Sequence, residues 1–120
     1  MTEPGAAMRV LIVDDEPLAR MRLRSLLADP LQPRTQVVGE AGSGAEALHL
    51  LAQQPVDLLL LDIHMPGLDG LGLAARLRGQ PAAPAVVFVT AHTEHALQAF
   101  DLAAADYLTK PVRQIGRAHV

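Results

Sequence analysis

The sequence predicts an α/β fold in which a five-stranded parallel sheet is wound doubly, with helices on both faces. Three observations carry that prediction. Short aliphatic runs alternate with segments of helical period, about one element every dozen residues. The run Leu58–Leu61 is apolar throughout and bounded by Pro55 before it and Pro66-Gly67 after it, as a strand buried on both faces would be. Two of the runs end directly in acids, Asp14-Asp15-Glu16 and Asp62, where open parallel sheets form their binding crevice.

Composition bounds the remaining possibilities. A chain of 120 residues suits one domain, long enough to bury about two-thirds of its unfolded surface. Half the residues are hydrophobic but only 2% are aromatic, so the core is built from Leu, Val, Ile and Ala. A net charge of −3 excludes the basic footprint of a nucleic-acid binder. The absence of Cys excludes disulfides and thiolate metal sites, leaving oxygen ligands and a hard cation. Neither a signal peptide nor a run of apolar residues long enough for a membrane helix is present, so no membrane contact and a cytoplasmic location are expected.

Residues 1–8 read as a flexible N-terminal tail. Arg9–Val13 is the first strand; Pro17 then opens a helix with Asp15 and Glu16 at its positive end. Ala19, Leu23, Leu26 and Leu27 form the inner stripe of that helix, while Arg20, Arg22 and Arg24 are expected to face water. Asp29-Pro30 ends it, and Gln36–Glu40 is the second strand. Gly39, Gly42 and Gly44 match neither dinucleotide nor Walker spacing. Ser43 with Glu46 is instead a capping box opening a helix lined by Ala47, Leu48, Leu50 and Leu51 and closed by Pro55.

Beyond the central strand, Leu71–Arg78 is a short helix with Leu73, Ala74 and Leu77 inward, stopped by Gly79 and Pro81. Ala85–Val89 is the fourth strand, ending in Thr90. Thr93 and Glu94 start a fourth helix (α4) on which Ala96, Leu97 and Phe100 recur at helical spacing. Ala105–Thr109 is the fifth strand (β5), followed by Lys110-Pro111. A flavodoxin-like strand order, 2-1-3-4-5, fits this alternation and brings Asp14, Asp15 and Asp62 together, with Thr90 and Lys110 approaching from the other side.

On its own stretch, Asp62 reads either as a turn-capping carboxylate or as one paired with a cation. Convergence with two more acids favours the second reading, since three neighbouring carboxylates repel one another until a cation neutralises them. Mg²⁺, which takes octahedral oxygen ligands from carboxylates, carbonyls, waters and phosphate, is the natural occupant. Lys110 is a flexible point charge suited to a phosphoryl group, and the Thr90 hydroxyl is a donor to one of its oxygens.

With VDDE at Val13–Glu16, LLDIHMPGLDG at Leu60–Gly70, VTA at Val89–Ala91 and DYLTKP at Asp106–Pro111, the chain resembles the receiver domain of two-component response regulators over residues 9–113. The resemblance implies that Asp62 is the phosphoacceptor for a sensor histidine kinase, forming an acyl phosphate. It implies a metal site in which Asp15 binds Mg²⁺ directly, Asp14 binds it through water, and Asp62 and the backbone carbonyl of His64 complete the protein ligands. Thr90 and Lys110 would contact the phosphoryl group, Tyr107 would change rotamer on phosphorylation, and the Lys110-Pro111 bond would be cis. No enzymatic turnover beyond self-phosphorylation and self-dephosphorylation is implied. The His64 side chain has no role in that pattern, and His92 and His95 read as surface residues.

HTEHALQAFDLAAADYLTKPV is similar, more narrowly, to receivers of the LytTR class, whose DNA-binding effector domain would lie outside this chain. DNA contact is then indirect, and a homodimer through the α4-β5 face is a possible output. Residues 114–120 are a tail in which Gly116 interrupts the expected last helix, either a vector-derived end on an excised receiver or the stunted helix of a stand-alone one. The competing class is a metal-dependent phosphatase that forms an aspartyl phosphate. Such enzymes place the nucleophile after the first strand in a DxD pattern, where this chain has DDE. A receiver fold serving only as a protein-binding module is disfavoured because every chemical position is filled.

Overall fold

Short segments of four to seven residues, ended by Asp14, Gly42 and Asp62 and aliphatic throughout in Leu58–Leu61, form strands rather than helices. The computed structural model describes residues 7–28, 34–90 and 106–109, with the backbone alone at 90 and 106–109. The elements in order are β1 (Met8–Val13), α1 (Pro17–Leu27), β2 (Thr35–Ala41), α2 (Gly44–Gln53), β3 (Leu58–Leu61), α3 (Gly70–Leu77), β4 (Ala85–Thr90) and β5 (Asp106–Thr109). The strands are all parallel in the order β2-β1-β3-β4-β5, the flavodoxin-like order expected. The fourth helix, the last helix and the Lys110-Pro111 bond lie outside the described residues.

β1 to β4 divide their side chains between two cores. Leu11, Val13, Leu59, Leu61 and Phe88 pack toward Ala47 of α2 and Leu73, Ala74 and Leu77 of α3. Val10, Ile12, Leu60 and Val89 pack on the opposite face against Leu23 and Leu27 of α1. One sheet face is thus covered by α1 and the other by α2 and α3, as right-handed crossovers in opposite directions from β1 require. β1 and β3 are covered on both sides, which explains why their sequences are aliphatic without alternation.

Several boundaries differ from expectation by a residue. β1 starts at Met8, whose N–H donates to the Arg34 carbonyl at 3.2 Å, so the strand takes one residue from the expected tail. α3 starts at Gly70 because Asp69 caps it, its Oδ1 accepting from the Gly72 N–H at 2.8 Å. β2 is longer than expected and carries an irregularity: Val10 pairs with Val37 but Leu11 pairs with Gly39, leaving Val38 as the extra residue of a bulge on an edge strand. α2 follows expectation, with Ser43 Oγ accepting from the Glu46 N–H at 3.1 Å.

At the amino end of the sheet, Arg9 and Asp57 tie β1, β3 and β4. The Arg9 N–H donates to Asp57 Oδ2 at 2.8 Å, and the Asp57 N–H donates to the Arg9 carbonyl at 2.8 Å. The Ala85 N–H donates to the Asp57 carbonyl at 3.0 Å, and Arg9 Nε donates to the Pro55 carbonyl at 2.7 Å. No helix among the described residues is long and apolar enough to cross a membrane.

Stability should rest on the double-sided strands. Leu59 is fully buried, so Leu59→Ala should cost about 3 kcal/mol in urea unfolding through lost transfer energy and the cavity left behind. Leu18→Ala, on a side chain 76% exposed, should stay within about 0.5 kcal/mol of the parent.

Candidate functional site

The β1–β3 ladder brings two carboxylates side by side at the carboxyl end of the sheet. Val13 pairs with Leu61, and one step further on the Asp62 N–H donates to the Val13 carbonyl at 2.8 Å. On the other side of β1, the Asp14 N–H donates to the Ala41 carbonyl at 3.0 Å. Asp14 and Asp62 are therefore neighbours on adjacent strands, only 1% and 5% exposed. They are the buried acidic residues among those described, and both sit at this one edge.

Beyond Asp14 the chain turns sharply into α1. Asp14 Oδ1 accepts from the Glu16 N–H at 2.9 Å, an Asx-type turn that folds the two following acids back toward it. Carboxylate oxygens of Asp14, Asp15 and Glu16 consequently lie within 4.8 Å of one another, Asp14 buried and the other two exposed. This donor set of hard oxygens suits Mg²⁺, which binds through one or two carboxylates and keeps several waters. Glu16 completes the cluster, although its position beside Pro17 reads in sequence only as an acid at a helix start.

The loop that follows Asp62 is anchored rather than free. Ile63 and Met65 are buried, and His64 between them is exposed. The ring of Pro66 fixes its own φ, and Gly67, with φ at +73°, takes the left-handed backbone that favours glycine. The loop closes where the Gly70 N–H donates to the Ile63 carbonyl at 2.9 Å. A side-chain carbon at Gly70 would run into the carbonyl oxygen of Asp62 itself and come within 2.8 Å of the Ile63 Cα. One at Gly44 would press on Leu68, 2.9 Å from its Cβ, so the start of α2 also braces this loop.

The remaining predicted residues are placed in part. Strand register sets Leu61 beside Phe88 and Phe88 beside Tyr107, so Thr90 stands one step further out than Asp62 on the neighbouring strand. Tyr107 lies within β5. Lys110 and Pro111 fall outside the described residues. One expectation is corrected: Arg20 does not face water. Its Nε donates to Glu40 Oε1 at 3.1 Å and its Nη1 to the Asp14 carbonyl at 2.6 Å, with the side chain 21% exposed. Arg24, more exposed, donates from Nε to Glu40 Oε2 at 2.7 Å.

Residues 10–116 match the family model of the response regulator receiver domain. The chain is 55% identical over 106 residues to the positive alginate biosynthesis regulatory protein of Pseudomonas aeruginosa, covering 88% of this chain and 42% of that protein. It is 46% identical over 107 residues to the sensory transduction protein LytT of Enterococcus faecalis, covering 89% of this chain and 43% of that one. The chain thus spans less than half the length of these relatives. Among solved structures, the response regulatory domain of protein mrkE from Klebsiella pneumoniae aligns with a TM-score of 0.80 at 40% identity, covering 88% of this chain and 85% of that one.

The close approach at Gly70 makes a direct prediction. Gly70→Ala should destabilise the protein by about 2 kcal/mol or more, since the new methyl group meets backbone that cannot yield, as in overpacked cores. Gly67→Ala meets nothing and should cost only the left-handed backbone penalty of about 1 kcal/mol. Urea unfolding of the two variants checks the order; equal losses would mean that contact with Asp62 is not what requires glycine at position 70.

Proposed function

The chain belongs to the response regulator receiver domain family, and we propose that it is the phosphoacceptor unit of a LytTR-class transcription regulator, with Asp62 as the residue modified. The observation that carries this reading is the in-register pairing of Asp62 with the Asp14 end of β1. It holds a buried carboxylate next to a cluster of three acids at the open edge of the sheet. Domains of this family signal rather than catalyse.

In the proposed reaction a carboxylate oxygen of Asp62 attacks the phosphorus of a phosphohistidine on a sensor histidine kinase. The new O–P bond forms as the P–N bond breaks, and the departing imidazole nitrogen keeps the electron pair and takes up a proton. The ladder hydrogen bond at the Asp62 N–H and the anchored loop from Ile63 to Gly70 keep the nucleophile in place. Mg²⁺, when bound, supplies the positive charge that offsets the acidic cluster and the phosphoryl oxygens. Asp15 would hold it directly, Asp14 through water, and Asp62 and the His64 carbonyl would complete the protein ligands. The surplus of three clustered acids supports that assignment.

Thr90 and Lys110 are proposed to contact the phosphoryl oxygens once they arrive, and Tyr107 to turn with them. A local change of charge would thereby bias the α4-β5 face toward a homodimer. The output would pass to a DNA-binding domain beyond this chain, in keeping with relatives more than twice its length, the Pseudomonas aeruginosa one named a regulatory protein. A cytoplasmic location, where kinase and DNA are both within reach, belongs to the same reading.

Asp62→Asn should abolish phosphorylation by acetyl phosphate with Mg²⁺, because an amide cannot form the acyl phosphate. Intact-mass measurement reads the outcome. A phosphoryl group still gained by the variant, or rapid turnover of p-nitrophenyl phosphate, would move the nucleophile to β1 and favour a phosphatase. Separately, calorimetry should find Mg²⁺ binding weakened more by Asp15→Ala than by Asp14→Ala, since the first removes a direct ligand. Equal weakening would contradict the division of roles.

A further inference from the structure

A side chain outside the acidic cluster reaches into its backbone. Arg20, on the first turn and a half of α1, spans from Glu40 on β2 to the carbonyl of Asp14 at the end of β1. Glu40 is itself held from both oxygens, Oε1 by Arg20 and Oε2 by Arg24. The guanidinium is thus fixed at one edge by a carboxylate and applies its other edge to a peptide oxygen. Its planar fork does both at once from two separate nitrogens, whereas a Lys would have to reach both acceptors from one.

We propose that Arg20 is a positioning residue of the acidic site: by holding the Asp14 carbonyl it sets the Asp14–Asp15 peptide, and so the direction from which the Asp15 carboxylate reaches the cation. The carbonyl of Asp14 and the N–H of Asp15 share one rigid plane, so fixing the oxygen fixes the exit of the chain toward Asp15. Asp14 is gripped in addition through its N–H by Ala41 and through Oδ1 by Glu16, which pins its own position, while Arg20 holds the peptide that follows. Glu40 cancels the charge that would otherwise oppose a cation at the cluster, so the geometry is kept while the repulsion is reduced. The metal consequence rests on the function proposed above; the backbone consequence does not.

The test combines proton–nitrogen NMR of the metal-free protein with a Mg²⁺ titration, on the parent, Arg20→Lys, Arg20→Met and Glu40→Gln, each held well below its own Tm. The Asp15 and Glu16 amide resonances should be displaced in both Arg20 variants before any metal is added. The Kd for Mg²⁺ should then rise about tenfold in both, and about threefold in Glu40→Gln, where Arg20 keeps its reach but loses its charged anchor. At saturating Mg²⁺ all three should still accept a full phosphoryl group from acetyl phosphate, which separates positioning from loss of the fold.

If Arg20 acted only as a charge, Arg20→Met would bind Mg²⁺ more tightly and Arg20→Lys would match the parent; either result overturns the proposal. Unmoved Asp15 and Glu16 amides in the metal-free Arg20 variants overturn it as well. A parent protein that fails to bind Mg²⁺ would sink the metal reading instead, while displaced amides in the variants would still uphold Arg20 as the residue that sets this loop.

Discussion

The parallel pairing of β1 with β3 is the constraint on which the rest of this molecule depends. It continues one step past the last paired residues, through the Asp62 N–H to the Val13 carbonyl, and that step leaves two carboxylates buried at one edge. Burying two like charges together is expensive without a cation or a donor network, so such an edge persists only where its surroundings hold it. Here they do so from three sides. Two aliphatic cores clamp the paired strands, the β3–α3 loop is pinned by Ile63, Met65 and Gly70, and α1 reaches back through Arg20.

The two ends of the sheet divide the work. At the amino end, Arg9, Gln54, Pro55 and Asp57 satisfy one another and the backbone: Arg9 Nη2 donates to Gln54 Oε1 at 3.0 Å, and Gln54 Nε2 reaches the bulge carbonyl of Val38 at 3.3 Å. This end ties three strands and the edge bulge into one unit. At the carboxyl end β1 and β3 lead into acids, Asp14 and Asp62 buried and Asp15 and Glu16 exposed. A charge placed on Asp62, as proposed, would act against this tied frame.

Much of this was legible in the sequence, for reasons that differ by element. Leu58–Leu61 reads as a buried strand because apolar content on both faces has no other use in four residues. The start of α2 reads from Ser43 because an N-cap is a local device. That Asp14 and Asp62 end on adjacent strands follows from topology, since alternation of elements fixes which strand ends meet. What escaped was non-local. The Val38 bulge depends on the register of a neighbouring strand, and the need for glycine at position 70 depends on a carbonyl eight residues earlier. Helical periodicity put Arg20 among solvent-facing arginines; its partner Glu40 lies on another element, and only the fold reveals the pair. Asp69 escaped as a cap because Gly72, not Glu or Gln, stands three residues on.

Asp62 is proposed as the destination of the phosphoryl group, beside a cluster in which Asp14, Asp15 and Glu16 also offer carboxylates. Borohydride reduction decides among them, because it converts an aspartyl phosphate, an activated acyl group, to homoserine while leaving free carboxylates unchanged. Tandem mass spectrometry of the protein, phosphorylated in Mg²⁺ and then reduced, should find homoserine at position 62. Homoserine at position 14 or 15, or none at any position, would contradict the account.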